Sequence, residues 1–523
     1  MPVNPQRGRA HIRRALIPAV SAIGLGAFAF APFPLRFLAF FAFVPLFRVI
    51  RDAKPGKAFL WGWLFGGLLF TAHLWWLWFL VVPVEPITRI LLDIGVVLLF
   101  AYLGLYVGVF AWLTRRWGLW AAPLVWPLLE FLRTKSQIGF PWGLLGYTMT
   151  PYVPFIQPAS LGGVYLVSAW LVLVNVLVCK LYASRFTPDA PDARREASGV
   201  WRSAWRMLGP AAALAAAFAA PLLFSAFYVR PLKPWFNVAI VQPNVSPFDK
   251  GDWDARAAIQ ADLVRLTQQS AADHPDLILY PETATLTDVT RSETMGSAIR
   301  GLADSLNTEI FTGSPLFDER RRSWHNGAVL IRPGEPVRQR YYKIRLVPFS
   351  EKIPYADELP IIRRILGTAD MGDWARGRDY TVFRWSRGKL SSLICFEAIF
   401  PDYAREFARR GSQLIAVVTN DGWFGRLVGA QQHAELAVLR TVENGVPMIR
   451  SANNGISFIV DPYGRILQHT PLFVQTVLAG PVPQPLAPTP YQRYGDWFMP
   501  ACALCLLVGL LVQRVKRPRP ASR

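Results

Sequence analysis

The chain is 523 residues long, more than one ordinary domain holds, so two or more units are expected. Hydrophobic residues make up 52% and charged residues only 17%, against about 25% charged in a typical soluble chain. The apolar excess lies in runs within the first 230 positions and again near 497–513, which excludes a wholly soluble chain and a disordered one. The formal charge of +21 belongs to a membrane protein rather than to a nucleic-acid binder, because many of the basic residues flank apolar runs, where they set topology. Of the four cysteines, Cys179, Cys502 and Cys505 lie in apolar runs and only Cys395 in a polar stretch, so a disulfide scaffold is excluded.

A bilayer core about 30 Å thick needs roughly 20 helical residues. Runs at about 15–31, 35–50, 58–81, 89–113, 118–132, 161–180, 207–228 and 497–513 are the candidate spans. Pro32 and Pro34 leave a tight turn between the first two. The small-residue run Ala27–Ala31 resembles a signal-peptide cleavage site, but a second apolar run follows at once, which favours retention. With the N-terminus inside, together with Arg7, Arg9, Arg13 and Arg14, the loops that fall inside carry three further basic groups. These are Arg48, Arg51, Lys54 and Lys57, then Arg115 and Arg116, then Arg185, Arg194, Arg195, Arg202 and Arg206. Arg514, Lys516, Arg517 and Arg519 end the chain on the same side, whereas 133–160 on the other side carries only Arg133 and Lys135. This asymmetry places both termini in the cytoplasm and residues of about 230–495 outside it. The expected units are a membrane domain over 1–230 with about seven spans, a catalytic domain over 231–487, and a last span with a basic tail over 488–523.

Within the apolar runs, Asp93, His73 and Glu130 are costly and are expected to be paired or functional. Glu130 and Arg133, three apart, read as a helix-end ion pair, and Trp75, Trp76, Trp78 and Phe79 as an interfacial belt. Cys502 and Cys505 read as small hydrophobes.

From Phe236 to about Val482 short β-branched runs alternate with polar stretches of helical period. Strands are expected at Asn237–Gln242, Leu277–Tyr280, Glu309–Gly313, Gly327–Ile331, Leu390–Cys395, Leu414–Thr419 and Ile456–Val460, with helices at Ala255–Ala272 and Ala430–Glu443. That alternation indicates an α/β domain. G-x-S-x-G, phosphate-loop and H-E-x-x-H patterns are absent, and the six histidines are scattered. What remains is a carboxylate, a cation and a thiol, each just after a β-like run. They are Glu282 after Leu277–Tyr280, Lys343 in the stretch leading to Glu351, and Cys395 followed by Phe396 and Glu397. In open α/β folds the C-terminal ends of strands are where ligands meet chemistry. Taken singly each has a plainer reading, as a cap, a surface lysine and a buried small hydrophobe.

In this order the three resemble the Glu–Lys–Cys triad of the carbon–nitrogen hydrolase (nitrilase-like) superfamily. The motifs Gly139-Phe140-Pro141-Trp142 with Gly146-Tyr147, Pro281-Glu282-Thr283-Ala284, Lys343 to Glu351, Thr419 to Gly425 and Arg450 to Gly455 resemble the apolipoprotein N-acyltransferase family over nearly the whole chain. The resemblance implies a multi-span membrane domain carrying an α-β-β-α sandwich. It also implies ping-pong transfer of the sn-1 acyl chain of a phospholipid to the N-terminal amine of diacylglyceryl-cysteine apolipoproteins, with no cofactor and no metal. The setting it implies is the bacterial inner membrane, with the catalytic domain periplasmic. Glu282 is then the base, Lys343 the oxyanion cation, Cys395 the nucleophile and Glu351 the residue that orients Lys343, while Glu397 and Trp423 shape the pocket. Members often have Tyr after the nucleophile, where this chain has Phe396 and lacks the hydroxyl. A membrane-tethered nitrilase-type amidase of small amides shares the triad but leaves the long membrane part without a purpose. A catalytically dead transporter or scaffold is opposed by the intact triad.

Overall fold

The computed structural model describes residues 5–82, 85–186, 196–252, 254–359, 361 and 374–516. The basic positions Arg194, Arg195, Arg517 and Arg519 lie outside the described residues. The N-terminal half is helical: α1 (Pro5–Phe28), α2 (Val44–Arg51), α3 (Pro55–Leu74), α4 (Pro86–Trp117), α5 (Ala122–Arg133), α6 (Ala159–Phe186) and α7 (Glu196–Tyr228). Among the described residues, five segments are long and apolar enough to cross a membrane: Pro55–Phe79, Pro86–Trp117, Ala159–Ala183, Leu208–Tyr228 and Phe498–Val515. The chain is a membrane protein. Three of the expected spans are not among these: at 15–31 only Ala15–Phe28 of α1 forms an apolar helix, shorter than a span, and the other two take another form. The run 35–50 divides into a 3-10 turn (Arg36–Phe40) and the eight-residue α2, and 118–132 becomes the twelve-residue α5. At 1.5 Å per residue α5 reaches only about 18 Å. Hydropathy alone does not separate such a run from a span, because helices buried among other helices are equally apolar. Close approach comes from small residues: a Cβ at Gly62 on α3 would clash with the carbonyl oxygen of Val107 on α4.

The second half is two facing six-stranded sheets. The first takes β1 (Pro234–Gln242), β2 (Leu277–Leu279), β3 (Glu309–Asp318), β4 (Ser323–Ile331) and β5 (Arg340–Tyr342). The second takes β6 (Val382–Trp385), β7 (Gly388–Ile394), β8 (Leu414–Thr419), β9 (Met448–Ala452), β10 (Phe458–Val460) and β11 (Ile466–His469), and the last strand, β12 (Thr476–Pro483), returns to the first sheet beside β1. Strands β1–β2–β3 and β7–β8–β9 are parallel and the outer ones antiparallel. Helices α8 (Arg256–Ser270) and α9 (Met295–Leu306) cover the first sheet. On the second lie α10 (Pro401–Arg409) and α11 (Gly429–Asn444). This is the expected α-β-β-α sandwich. The expected strands all form, with Leu277–Tyr280 ending at Leu279, Ile456–Val460 starting at Phe458, and Leu390–Cys395 ending at Ile394, because Cys395 turns into a 3-10 segment. Strands β5, β6, β9, β11 and β12 were not legible: β5, β6 and β11 are edge strands of three or four residues, β9 has only five, and Gly480, Pro481 and Pro483 interrupt the pattern of the eight-residue β12.

Helix α11 is buried along its length and faces the membrane helices, so the apolar core runs from the helical half into the second sheet without a break. Gln432 on α11 accepts from the indole N–H of Trp76 (3.0 Å) and of Trp142 (2.9 Å). Arg36 grips Glu435 through both guanidinium nitrogens at 2.7 and 2.8 Å. Arg440 on the same helix donates to the Tyr147 hydroxyl (3.1 Å), which itself donates to the Ile399 carbonyl. Arg345 reaches the carbonyls of Ser136, Gln137 and Gly139. The Gly139–Tyr147 motif is thus the seat of the catalytic-type domain. Trp76, expected in an interfacial belt, is buried at this seam. Glu130 and Arg133, expected to pair, hold the same seat: Glu130 Oε1 accepts from Leu145 N (2.6 Å) and Arg133 donates to Gly143 O (3.1 Å). Asp93 is paired with Arg89 one turn away, at 3.4 Å.

Candidate active site

The C-terminal ends of β2, β7 and β8 meet at one edge of the sandwich. After β2 the chain turns through Pro281, Glu282 and Thr283, the last at φ +48°, a left-handed conformation that is strained for a β-branched residue. Strand β3 passes directly beneath, which only glycine allows: a Cβ on Gly313 would sit 2.6 Å from Glu282 Cα. Cys395 follows β7 at φ +52°, and Ile394 pairs with Val418 across the parallel ladder, so Cys395 emerges beside Thr419. Lys343 leaves β5, its N–H bound to Asn326 O at 2.8 Å.

Four of the expected residues come together. The ammonium of Lys343, 1% exposed, donates to Glu282 Oε1 (3.2 Å) and Glu351 Oε1 (2.9 Å). The second oxygen of Glu282 accepts from Asn420 N (2.9 Å), and that of Glu351 from Val347 N (2.8 Å). Burial disfavours the charge on Lys343, but the Glu282 and Glu351 carboxylates outweigh it, and the ammonium stays protonated well above the usual lysine range. Around Cys395, enclosure by protein and the Glu282 carboxylate push the thiol up, against the pull of Lys343. That balance favours the neutral thiol at Cys395.

Glu397 does not shape a pocket wall as expected. Its carboxylate is fully buried and accepts four hydrogen bonds, from Tyr341 OH, Ile344 N, Arg345 N and Ile394 N, at 2.7–3.0 Å. It ties the chain around Lys343 to the residue before Cys395. Burial raises its pKa to about 6, against its hydrogen bonds. Trp423 is 37% exposed at the seam with the helical half, where its carbonyl accepts from Val81 N at 2.8 Å. Phe396 is buried against Phe400, a setting with no demand for a hydroxyl.

Sequence reading missed the support of the centre. Asn326 on β4 donates to both Glu282 Oε1 (2.7 Å) and Glu351 Oε1 (3.0 Å). An amide in a strand otherwise rich in Gly, Ala, Val and Leu was the available signal. Beneath Cys395, His433 Nε2 donates to the Cys395 carbonyl (3.2 Å) and Nδ1 lies 2.8 Å from Asp421 Oδ1. Arg450 donates to Asp421 Oδ2 at 2.7 Å. Burial alone raises the Asp421 pKa, but Arg450 and His433 hold it well below the usual carboxylate range. A lowered folded pKa contributes stability above the unfolded value, near 3.9, and loses it as pH falls toward the folded one. Asp421→Asn leaves Arg450 buried without its counter-charge and is expected to cost about 3–5 kcal/mol in thermal unfolding at pH 7. An unchanged melting temperature would show that the pair contributes nothing. Among the described residues no cluster of three or more His, Cys, Asp or Glu could hold a metal ion.

Two facing sheets with a carboxylate, an ammonium and a thiol at one edge, carried on membrane helices, define a membrane-bound enzyme of the carbon–nitrogen hydrolase class. The carbon-nitrogen hydrolase family matches residues 237–490, and the apolipoprotein N-acyltransferase N-terminal domain matches residues 23–177. An apolipoprotein N-acyltransferase of Geobacter metallireducens is 35% identical over 94% of this chain and 93% of its own. That of Pseudomonas putida is 32% identical over 94% and 95%, and that of Chlorobaculum tepidum 30% over 96% of each. Among solved structures, an amidase from Nesterenkonia sp. superposes with a TM-score of 0.37 at 20% identity, over 50% of this chain and 94% of that one. The chain belongs to the apolipoprotein N-acyltransferase family.

Proposed function

We propose that this protein moves the sn-1 acyl chain of a phospholipid onto the N-terminal amine of diacylglyceryl-cysteine apolipoproteins, through a thioester on Cys395. The observation that carries the reading is the meeting of Glu282, Lys343, Glu351 and Cys395 at one edge of the sandwich, in a chain of this family. Glu282 takes the proton of the Cys395 thiol as sulfur attacks the ester carbonyl. Lys343, held between two carboxylates, faces the oxyanion. The C–O bond breaks and Glu282 returns the proton to the departing lysophospholipid oxygen. In the second half the acceptor amine attacks the thioester carbon, the C–S bond breaks, and the amine's proton passes through Glu282 to sulfur. Glu351 and Asn326 hold Lys343 and Glu282 in register throughout.

The membrane setting supports this substrate class. An acyl chain of about 15 methylenes costs roughly 12 kcal/mol to expose to water, so the site must open toward lipid. Trp423, exposed at the seam, is bonded to the chain just past Trp75–Phe79. Basic residues on the loops assigned inside support a catalytic domain outside the cytoplasm, on the periplasmic side of a bacterial inner membrane. A reporter fused after Arg230 should be active only if it works outside the cytoplasm; activity of a cytoplasmic reporter there would reverse the orientation.

Mass spectrometry tests the chemistry. Incubation with phospholipid alone should add one acyl chain to Cys395 and release one lysophospholipid, and the adduct should persist. A peptide bearing N-terminal diacylglyceryl-cysteine should discharge it as an amide, and the same peptide with a blocked amine should not. Continuous release of free fatty acid without acceptor, as fast as transfer with it, would make the protein a hydrolase.

A further inference from the structure

Lys250 lies on a 3-10 turn (Asp249–Gly251) in the loop after β1. Its ammonium donates to the backbone carbonyl of Glu282 (3.0 Å) and to Thr283 Oγ1 (3.3 Å). Both acceptors need a donor. Strand β2 ends at Leu279, so the Glu282 carbonyl lies beyond the ladder, and Thr283 is the left-handed residue of the turn. The loop that carries Lys250 is itself pinned. Val245 N donates to Asn453 Oδ1 (3.0 Å), and Asn453 Nδ2 donates to Val245 O (2.7 Å) and to Asn420 Oδ1 (3.0 Å). Asn420 is the residue whose N–H binds the Glu282 carboxylate. One hydrogen-bonded frame therefore grips Glu282 at both ends, at the carboxylate through Asn420 and at the main chain through Lys250.

We propose that Lys250 is a positioning residue for Glu282: by clamping the Glu282 carbonyl and the Thr283 hydroxyl it fixes the strained turn and with it the direction of the carboxylate that takes the thiol proton. The inference rests on the reading of Glu282 as the base. A cation is a costly clamp where it is partly buried, and burial lowers the Lys250 pKa to about 8 despite the pull of Glu282. A charged donor makes a stronger bond to a carbonyl than a neutral one. The positive charge also offsets one of the two carboxylates gathered at the centre. A misplacement of about 1 Å at a proton acceptor costs up to a hundredfold in rate, so this clamp acts on the chemical step rather than on lipid binding.

The test is single-turnover acylation of Cys395 by phospholipid in the purified full-length protein, read by intact mass at several lipid concentrations. Lys250→Met should slow the maximal acylation rate about 30-fold and leave the half-saturating lipid concentration unchanged. Lys250→Arg, which keeps a charged donor, should recover to within about threefold of the parent. In a Glu282→Gln background, Lys250→Met should add no further loss, because the group it positions is gone. Additive losses, a raised half-saturating concentration at full maximal rate, or an unimpaired Lys250→Met would overturn the proposal. Should Lys250→Met not fold, Thr283→Val decides: a drop of about fivefold, absent with Glu282→Gln, supports it, and a parental rate overturns it. A parent protein that forms no thioester would instead overturn the proposed function.

Discussion

Glu282→Gln is expected to lower acylation of Cys395 by about 10²–10⁴-fold, because the neutral amide takes no proton from the thiol. The same change should make the thiol more acidic. The Glu282 charge is one of the forces that hold the Cys395 proton on, and Lys343 pulls the other way. With the carboxylate gone, Lys343 faces the sulfur with Glu351 as its remaining carboxylate partner. Alkylation of Cys395 by iodoacetamide at pH 7.5 should then be faster than in the parent, about tenfold for each unit by which the pKa falls. Slower alkylation together with lost acylation would mean that the variant has merely closed or distorted the site. Near-parental acylation would remove Glu282 from the role of base.

Lys343→Ala is expected to remove about 10²–10³-fold of the acylation rate through loss of the oxyanion donor. It should also destabilise the fold, because the buried carboxylates of Glu282 and Glu351 would then face each other across Asn326 without the cation that both now share. Breaking one partner out of a buried ionic group costs about 3–5 kcal/mol. Lys343→Arg is not expected to restore the rate, since a planar fork cannot occupy the place of a compact ammonium wedged between two carboxylates. Thermal unfolding, measured beside single-turnover rates, separates the two effects. Parental rates in Lys343→Ala would exclude the oxyanion role.

Much of this protein is legible in its sequence because the patterns are local. Long apolar runs report a membrane, since about 20 consecutive apolar residues are what a bilayer core requires, and α3, α4, α6 and α7 fall within or across the expected spans. Alternating strand and helix texture reports the sandwich, and Leu414–Thr419 is recovered residue for residue as β8. Glu282, Lys343 and Cys395 stand out because each follows a β run and because their order fits one family, and Glu351 only through that resemblance. What only the tertiary structure decides is which groups share a partner. That Asn326 bridges two carboxylates, and that Glu397 is spent on four hydrogen bonds beneath the site, depends on strands far apart in the chain arriving side by side. The helical half shows the same limit. Trp76, α5 and the run 35–50 are apolar enough for lipid, yet Trp76 and α5 are turned inward to seat the catalytic domain, and 35–50 breaks into two short pieces. Hydropathy measures whether a side chain avoids water. Whether it finds lipid or protein instead is settled by the shape of what packs against it.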